Sequence, residues 1–114
     1  MATRYQMNFC ECFPFSDTGV DILLSAATET TWTVPGTNKN IYRASFGCSS
    51  NAEIWVSLNG TATVPIINTA TDTYNQEFVV PGMCRYVKGG DVLSFISTAA
   101  PQVGVSLLQV QDIS

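Results

Sequence analysis

Histidine is missing from this chain, and charge of either sign is scarce: 12% of its 114 residues are charged, against 46% apolar. Without an imidazole, neither a Ser-His-Asp nor a Cys-His arrangement can be assembled, which closes the common routes to an activated nucleophile. The five cations, Arg4, Lys39, Arg43, Arg85 and Lys88, form no run, and the net charge is −4. A charge-poor, mildly acidic chain has no electrostatic footprint for nucleic acid and no basic patch for an anionic membrane, so neither is expected as a partner. No segment reaches transmembrane length. The residues after Met1 are too polar for a secretory signal and offer no small-residue cleavage site. The expectation is therefore synthesis in a host cytoplasm without export, where cysteines meet a reducing pool first. A helical period, an internal repeat and a low-complexity tract are lacking as well.

Surface polarity must then come from Thr, Ser, Asn and Gln, residues that suit strands and turns better than helices. The length is that of one domain, large enough to build a two-sheet core without metal or disulfide support. Residues 1–16 have no period but are rich in aromatics, with Tyr5, Phe9, Phe13 and Phe15 around Pro14. They read as an extended N-terminal arm, and residues 17–114 as the folded domain.

From Val20 onward short apolar runs alternate with turn residues. Residues 21–25 and 29–34 read as the first two strands, the second ended by Pro35-Gly36. A loop at 37–40 leads to residues 41–48, which place Tyr42, Ala44, Phe46 and Cys48 on one face. Residues 53–58 alternate cleanly, with Ile54, Val56 and Leu58 inward and Glu53, Trp55 and Ser57 outward. Asn59-Gly60 is a hairpin signal, followed by a short return strand at 61–67 weakened by Pro65 and by a polar loop at 68–75. Residues 76–80 form a further strand before Pro81-Gly82.

The closing stretch, 84–110, is the most informative. Lys88-Gly-Gly-Asp and Ala100-Pro101 punctuate strands at 84–88, 92–97 and 103–110. The last two are apolar on both faces of the pleat. One face of an antiparallel sheet normally meets water, so something must cover the second face. About eight short strands with turns between them imply an all-β fold, an antiparallel β-sandwich or jelly roll.

The order of these features resembles a known family. A strand ended by Val34-Pro35-Gly36, the Tyr42-x-Ala44-Ser45-Phe46 strand, and Glu53-Ile-Trp-Val-Ser-Leu-Asn-Gly60 are similar to the early strands of tumour-necrosis-factor-like and complement-type globular heads. The stretch from Val87 through Gly89, Gly90 and Asp91 to Phe95 resembles that family's Gly-Asp strand pair, and Gly104 to Leu108 its closing strand. The resemblance spans about residues 29–110. It implies a jelly roll that packs into trimers through one sheet, holding the strands at 53–58, 92–97 and 103–110. The residue pattern marks the same strands as carrying apolar or aromatic outer faces, and the expected trimer interface is Trp55, Leu93, Phe95, Leu108 and Val110. The eukaryotic members of the family are secreted; a charge-poor jelly roll made without a signal is closer to the small virion proteins of tailed phages.

Candidate sites have plain competitors. Cys10, Cys12, Cys48 and Cys84 invite a zinc reading, but one Cys-x-Cys and two singletons lack the paired spacing of structural zinc. Buried thiols come first, with disulfides and then metal behind them. The acids nearest in sequence, Asp17 with Asp21 and Asp72 with Glu77, lie by loops and read as solvated side chains rather than a glycosidase pair. The oxygen-rich 68–73 segment lacks the acidic spacing of a calcium loop. Asn59-Gly60-Thr61 matches a glycosylation acceptor, yet a tight turn explains it.

The expectation is a non-enzymatic virion structural protein without a cofactor, a homotrimeric capsid cement or decoration protein of a tailed phage. Its partners would be copies of itself and the major capsid protein or another virion protein. Tyr5, Phe9, Phe13 and Phe15 would form a capsid-docking arm. The alternative is a tail-fibre tip, a receptor- or carbohydrate-binding module using the loops at 37–40 and 68–75.

Overall fold

The computed structural model describes residues 15–49, 52–65 and 75–112. Among them are eight strands and no helix: β1 Thr18–Leu23, β2 Thr30–Thr33, β3 Asn40–Cys48, β4 Ile54–Leu58, β5 Glu77–Phe78, β6 Cys84–Lys88, β7 Val92–Ser97 and β8 Gln102–Asp112. They form two antiparallel four-stranded sheets, the first in the order β1-β8-β3-β6 and the second β2-β7-β4-β5. The chain is thus all-β and compatible with a β-sandwich.

Period-two alternation decides what lies between the sheets. In the first sheet Ile22, Tyr42, Ala44, Phe46, Val87, Val103, Val105 and Leu107 point inward; the second supplies Ile54, Val56, Leu93 and Phe95. Phe46 and Phe95 meet edge to face, their ring centroids 6.3 Å apart. Burying each such side chain is worth about 1.5–3 kcal/mol. β8 runs through the middle of its sheet and pairs with both β1 and β3. Its register shifts where Tyr42 faces Gln109 but Ile41 faces Gln111, which leaves Val110 as the extra residue of a bulge.

The Lys88–Asp91 turn holds three loops together. Buried Asp91 accepts hydrogen bonds from the Lys88 amide (2.9 Å) and from Asn59 Nδ2 (3.1 Å), while Asn59 Oδ1 accepts from the Val92 amide (2.8 Å). The Asp91 carbonyl in turn accepts from the Val34 amide. Gly89 passes so close to the loop after β2 that a Cβ on it would lie 2.3 Å from the Thr37 carbonyl oxygen. No side chain fits there, which is why Gly89 is glycine.

Three expectations need correction. The strands at 53–58, 92–97 and 103–110 do not share a sheet: β4 and β7 belong to the second and β8 to the first. Pairing is set by long-range register, which alternation within one strand does not encode. Leu93 and Phe95 are 2% and 0% exposed and face the inter-sheet core, so neither is an outward interface residue. Nor do residues 61–65 return as a strand; they cross the outer face of the second sheet without joining a ladder. Residues 66 and 67 lie outside the described residues.

Candidate functional site

The outer faces of the two sheets are the surfaces on which recognition can be built, and they differ. On the second sheet the outward residues are Trp55 opposite Ile96 and Ser57 opposite Ser94. Trp55 is only 6% exposed, because the chain covers it: Ala62, with Val64 beside it, packs onto Trp55 and Ile96. This strap brings backbone groups that need partners, and the outward hydroxyls supply some of them. The Ala62 amide donates to Ser94 Oγ (3.0 Å), and Ser94 Oγ donates to the Glu29 carboxylate. Gln76 pairs with both the amide and the carbonyl of Thr63, at 2.9 and 2.7 Å. Ser57 Oγ donates to the Asn75 carbonyl at 2.7 Å. Phe78 on β5 lies against Trp55, centroids 5.4 Å apart, and stays half-exposed. Part of the cover required by the doubly apolar β7 is therefore the chain itself.

No such strap of described residues crosses the first sheet. Its outward positions are Gly19, Asp21 and Leu23 on β1, Ile41, Arg43, Ser45 and Gly47 on β3, Gly104, Ser106 and Leu108 on β8, and Cys84, Tyr86 and Lys88 on β6. Leu108 is half-buried and Val110, in the bulge, is exposed; Tyr86 is 65% exposed. The Arg43 guanidinium lies over the Tyr86 ring, 5.8 Å from its centroid, and Nη2 reaches the phenol oxygen at 3.4 Å. Ser45 Oγ is 3.4 Å from Cys84 Sγ. The face joins small residues at Ser45, Gly47, Gly104 and Ser106 to an apolar and aromatic cluster at Ile41, Leu108 and Tyr86, with Asp21, Arg43 and Lys88 as its charges.

Of the five residues expected at a trimer interface, only Leu108 and Val110 stand on an open face. Trp55 lies beneath its own chain, and Leu93 and Phe95 are core. Ile41, Arg43 and Tyr86 were missed as companions of Leu108. The signal was present: assigning Tyr42, Ala44, Phe46 and Cys48 to the inside leaves Ile41 and Arg43 outside, on the strand that pairs with both β6 and β8.

The open edge between the sheets carries a second cluster. Glu77 on β5 lies opposite Val56, and Arg85 on β6 opposite Ala44, so both occupy inward-facing positions on edge strands of different sheets. They meet in a bidentate pair, with Nη2 to Oε1 at 2.7 Å and Nε to Oε2 at 3.3 Å. The guanidinium holds the Glu77 carboxyl below its ordinary value and is itself pushed further up. Behind the pair is a cavity of about 110 Å³ lined by Phe46, Val56, Leu58, Met83, Val87 and Leu93.

The remaining candidates are plain. Cys84 is an exposed thiol on the outer face rather than a buried one, and Cys48 is half-buried against the core. Among the described residues no three Cys, Asp or Glu side chains are grouped to hold a metal ion. Asp17 Oδ2 accepts from the Gln109 amide and Glu77 is paired with Arg85, so these acids are engaged in the fold. Asn59 Nδ2 is committed to Asp91. At 37–40 the polar groups turn on themselves, Asn40 Oδ1 accepting from the Thr37 amide and Thr37 Oγ1 from the Lys39 amide. Of the expected docking arm, Phe15 is 95% exposed, whereas Tyr5, Phe9 and Phe13, like Cys10, Cys12 and the 68–73 segment, lie outside the described residues. No family model, no curated protein and no solved structure matches this chain.

Proposed function

We propose that the chain is a non-enzymatic structural protein of a tailed-phage particle, folded as a jelly roll, assembled as a homotrimer and acting as a capsid cement or decoration protein. The observation that carries this reading furthest is the open outer face of the first sheet. Ile41, Leu108 and Tyr86 form an apolar and aromatic centre flanked by Gly47, Gly104 and Ser106, and small residues of this kind let another backbone approach closely. Tyrosine and arginine are enriched at interface cores, and Arg43 lying over Tyr86 beside Leu108 supplies both. The strand order supports the jelly roll: β1-β8-β3-β6 against β2-β7-β4-β5 is the arrangement produced by folding one long antiparallel ribbon over on itself. Such a fold hosts many activities, so the role rests on the face and on the scarcity of catalytic groups in the sequence.

Three identical faces around one axis give a compact assembly whose N-terminal segments and loops engage capsid neighbours in triplicate. Weak contacts repeated in this way add through effective concentration. Native mass measurement of the purified chain tests the proposal. A trimer that L108D converts to a folded monomer supports it; a wild-type monomer at micromolar concentration removes it. Copy number in purified particles then separates a cement, present in many copies, from a fibre tip, present in few.

A further inference from the structure

Asparagine is among the thermolabile residues, most of all when glycine follows it, and the turn after β4 requires both. Position 59 must be an amide. Asn59 Nδ2 donates to Asp91 Oδ1 (3.1 Å) while its Oδ1 accepts from the Val92 amide (2.8 Å), a donor and an acceptor at once. Its backbone stands at φ 56°, in the left-handed region that asparagine enters more readily than most residues. Position 60 must be bare. A Cβ on Gly60 would lie 2.7 Å from Ser57 Oγ, and Ser57 is buried and fixed by its own bond to the Asn75 carbonyl. Without a side chain at 60, the next backbone nitrogen has an unobstructed approach to the Asn59 side-chain carbon.

We infer that Asn59 is a deamidation site whose conversion releases β4 from the Lys88–Asp91 turn. Hydroxide removes the Gly60 amide proton, and the nitrogen attacks Asn59 Cγ. The new N–C bond closes a succinimide ring as the Cγ–Nδ2 bond breaks and ammonia leaves. Water then opens the ring at either carbonyl, giving aspartate or isoaspartate at 59. The net change is amide plus water to carboxylate plus ammonium, with no redox partner. Asn59 is exposed, so water and hydroxide reach it. The clamp itself holds the reaction back. Both ends of the side-chain amide are bonded, and the Asn59 backbone amide donates to the Val92 carbonyl (2.7 Å), so attack waits for local opening.

The product cannot refasten. A carboxylate still accepts from the Val92 amide, but its second oxygen meets Asp91 where a donor stood, and Asp91 is 7% exposed. Two carboxylates at hydrogen-bond distance in so buried a place repel. The isoaspartate form also lengthens the backbone by a methylene just before residues 61–65, the segment lying over Trp55 and Ile96. The step is therefore irreversible, and it loosens the cover of the second sheet, not the open face of the first. It does not rest on the proposed assembly.

Incubation of the full chain in mildly alkaline buffer, with and without urea, followed by peptide mapping, tests the reaction. The mass gain of an amide-to-acid change should appear at Asn59 in both, faster by about tenfold or more in urea, where no clamp exists. Amide exchange at Val92 tests the consequence. Asn59→Asp, which installs the product directly, should speed that exchange about tenfold, as loss of a buried bond to a charged group implies. Asn59→Asp combined with Asp91→Asn exchanges acid and amide. The carboxylate at 59 then accepts from Val92 and from the amide at 91, whose oxygen accepts from Lys88. All three bonds of the clamp return, and slow exchange should return with them. An intact Asn59 after prolonged incubation in urea, equal rates in the two buffers, wild-type exchange in Asn59→Asp, or no recovery in the double variant would overturn the inference.

Discussion

The two outer faces of this sandwich are solutions to one problem reached by different means. Both sheets carry apolar residues on the side away from the core. On the second sheet residues 61–65 lie over Trp55 and Ile96, and Ser94 and Gln76 satisfy the polar backbone that the cover brings with it. On the first sheet Ile41, Tyr86 and Leu108 meet no such strap of described residues; Arg43 lies between Leu108 and Tyr86, and the small residues Ser45, Gly47, Gly104 and Ser106 extend the face to one side. An aromatic on an outer face is therefore not in itself a sign of a partner. What matters is whether the chain itself lies over the face and bonds to it. Ser57 and Ser94, directly opposite each other, receive the covering chain on the second sheet; on the first sheet Ser45 and Ser106 stand opposite each other in the same way, with no strap of described residues over them.

The sharpest way to break this contrast is truncation of its two anchors. Trp55→Ala should destabilise the domain by about 3–5 kcal/mol, as removal of a buried aromatic does, and the loss should appear in urea unfolding at any protein concentration. Ser94→Ala comes next. It leaves the Ala62 amide and the Glu29 carboxylate without their shared partner, for about 1–3 kcal/mol, and amide exchange at Ala62 should accelerate. On the open face, Leu108→Asp should change unfolding at low concentration by no more than about 1 kcal/mol, while sedimentation shifts from assembled to monomeric. A large concentration-independent loss in this variant, or none in Trp55→Ala, would invert the contrast.

The smallest effect belongs to the Glu77–Arg85 pair. Because Glu77 titrates below its ordinary value of 4.5 in the folded chain, its contribution to stability is full above that pH and is lost as pH falls below it. Acid unfolding of Glu77→Gln should therefore lack that part of the pH dependence, and salt should narrow the gap between the two proteins.

Much of this was legible in the residues. Strict alternation at 53–58 placed Ile54 and Val56 inside and Trp55 outside, and the Asn59 and Gly-Gly-Asp turns fell where the backbone needs them: Asn59 and Gly90 adopt positive φ. Asn59 proved to be more than a turn former, since its side-chain amide ties the end of β4 to Asp91 at the start of β7. Three things were not legible. Which strands share a sheet depends on pairings such as Thr18 with Leu107, and no local pattern records them. That Trp55 is covered by its own chain depends on 61–65 failing to pair as a strand. Pro65 hinted at that failure, since proline cannot donate to a ladder, but Thr61 and Thr63 carry strand propensity and pointed the other way. The inward-facing Glu77 was hidden for a related reason: a two-residue edge strand is too short to show a period.

The central place of β8 governs how the protein can be made. Among the described strands β1 pairs with β8 alone and β2 with β7 alone, so the first two wait for the last two. On the ribosome, a nascent chain interrupted before Gln102 holds β1 and β3 with the strand that belongs between them still unsynthesised. The first sheet therefore closes only once residues 102–112 have emerged, and long-range pairing of this kind is slow. Until then Val20, Ile22, Tyr42 and Phe46 travel exposed, which makes the nascent chain a client for chaperones.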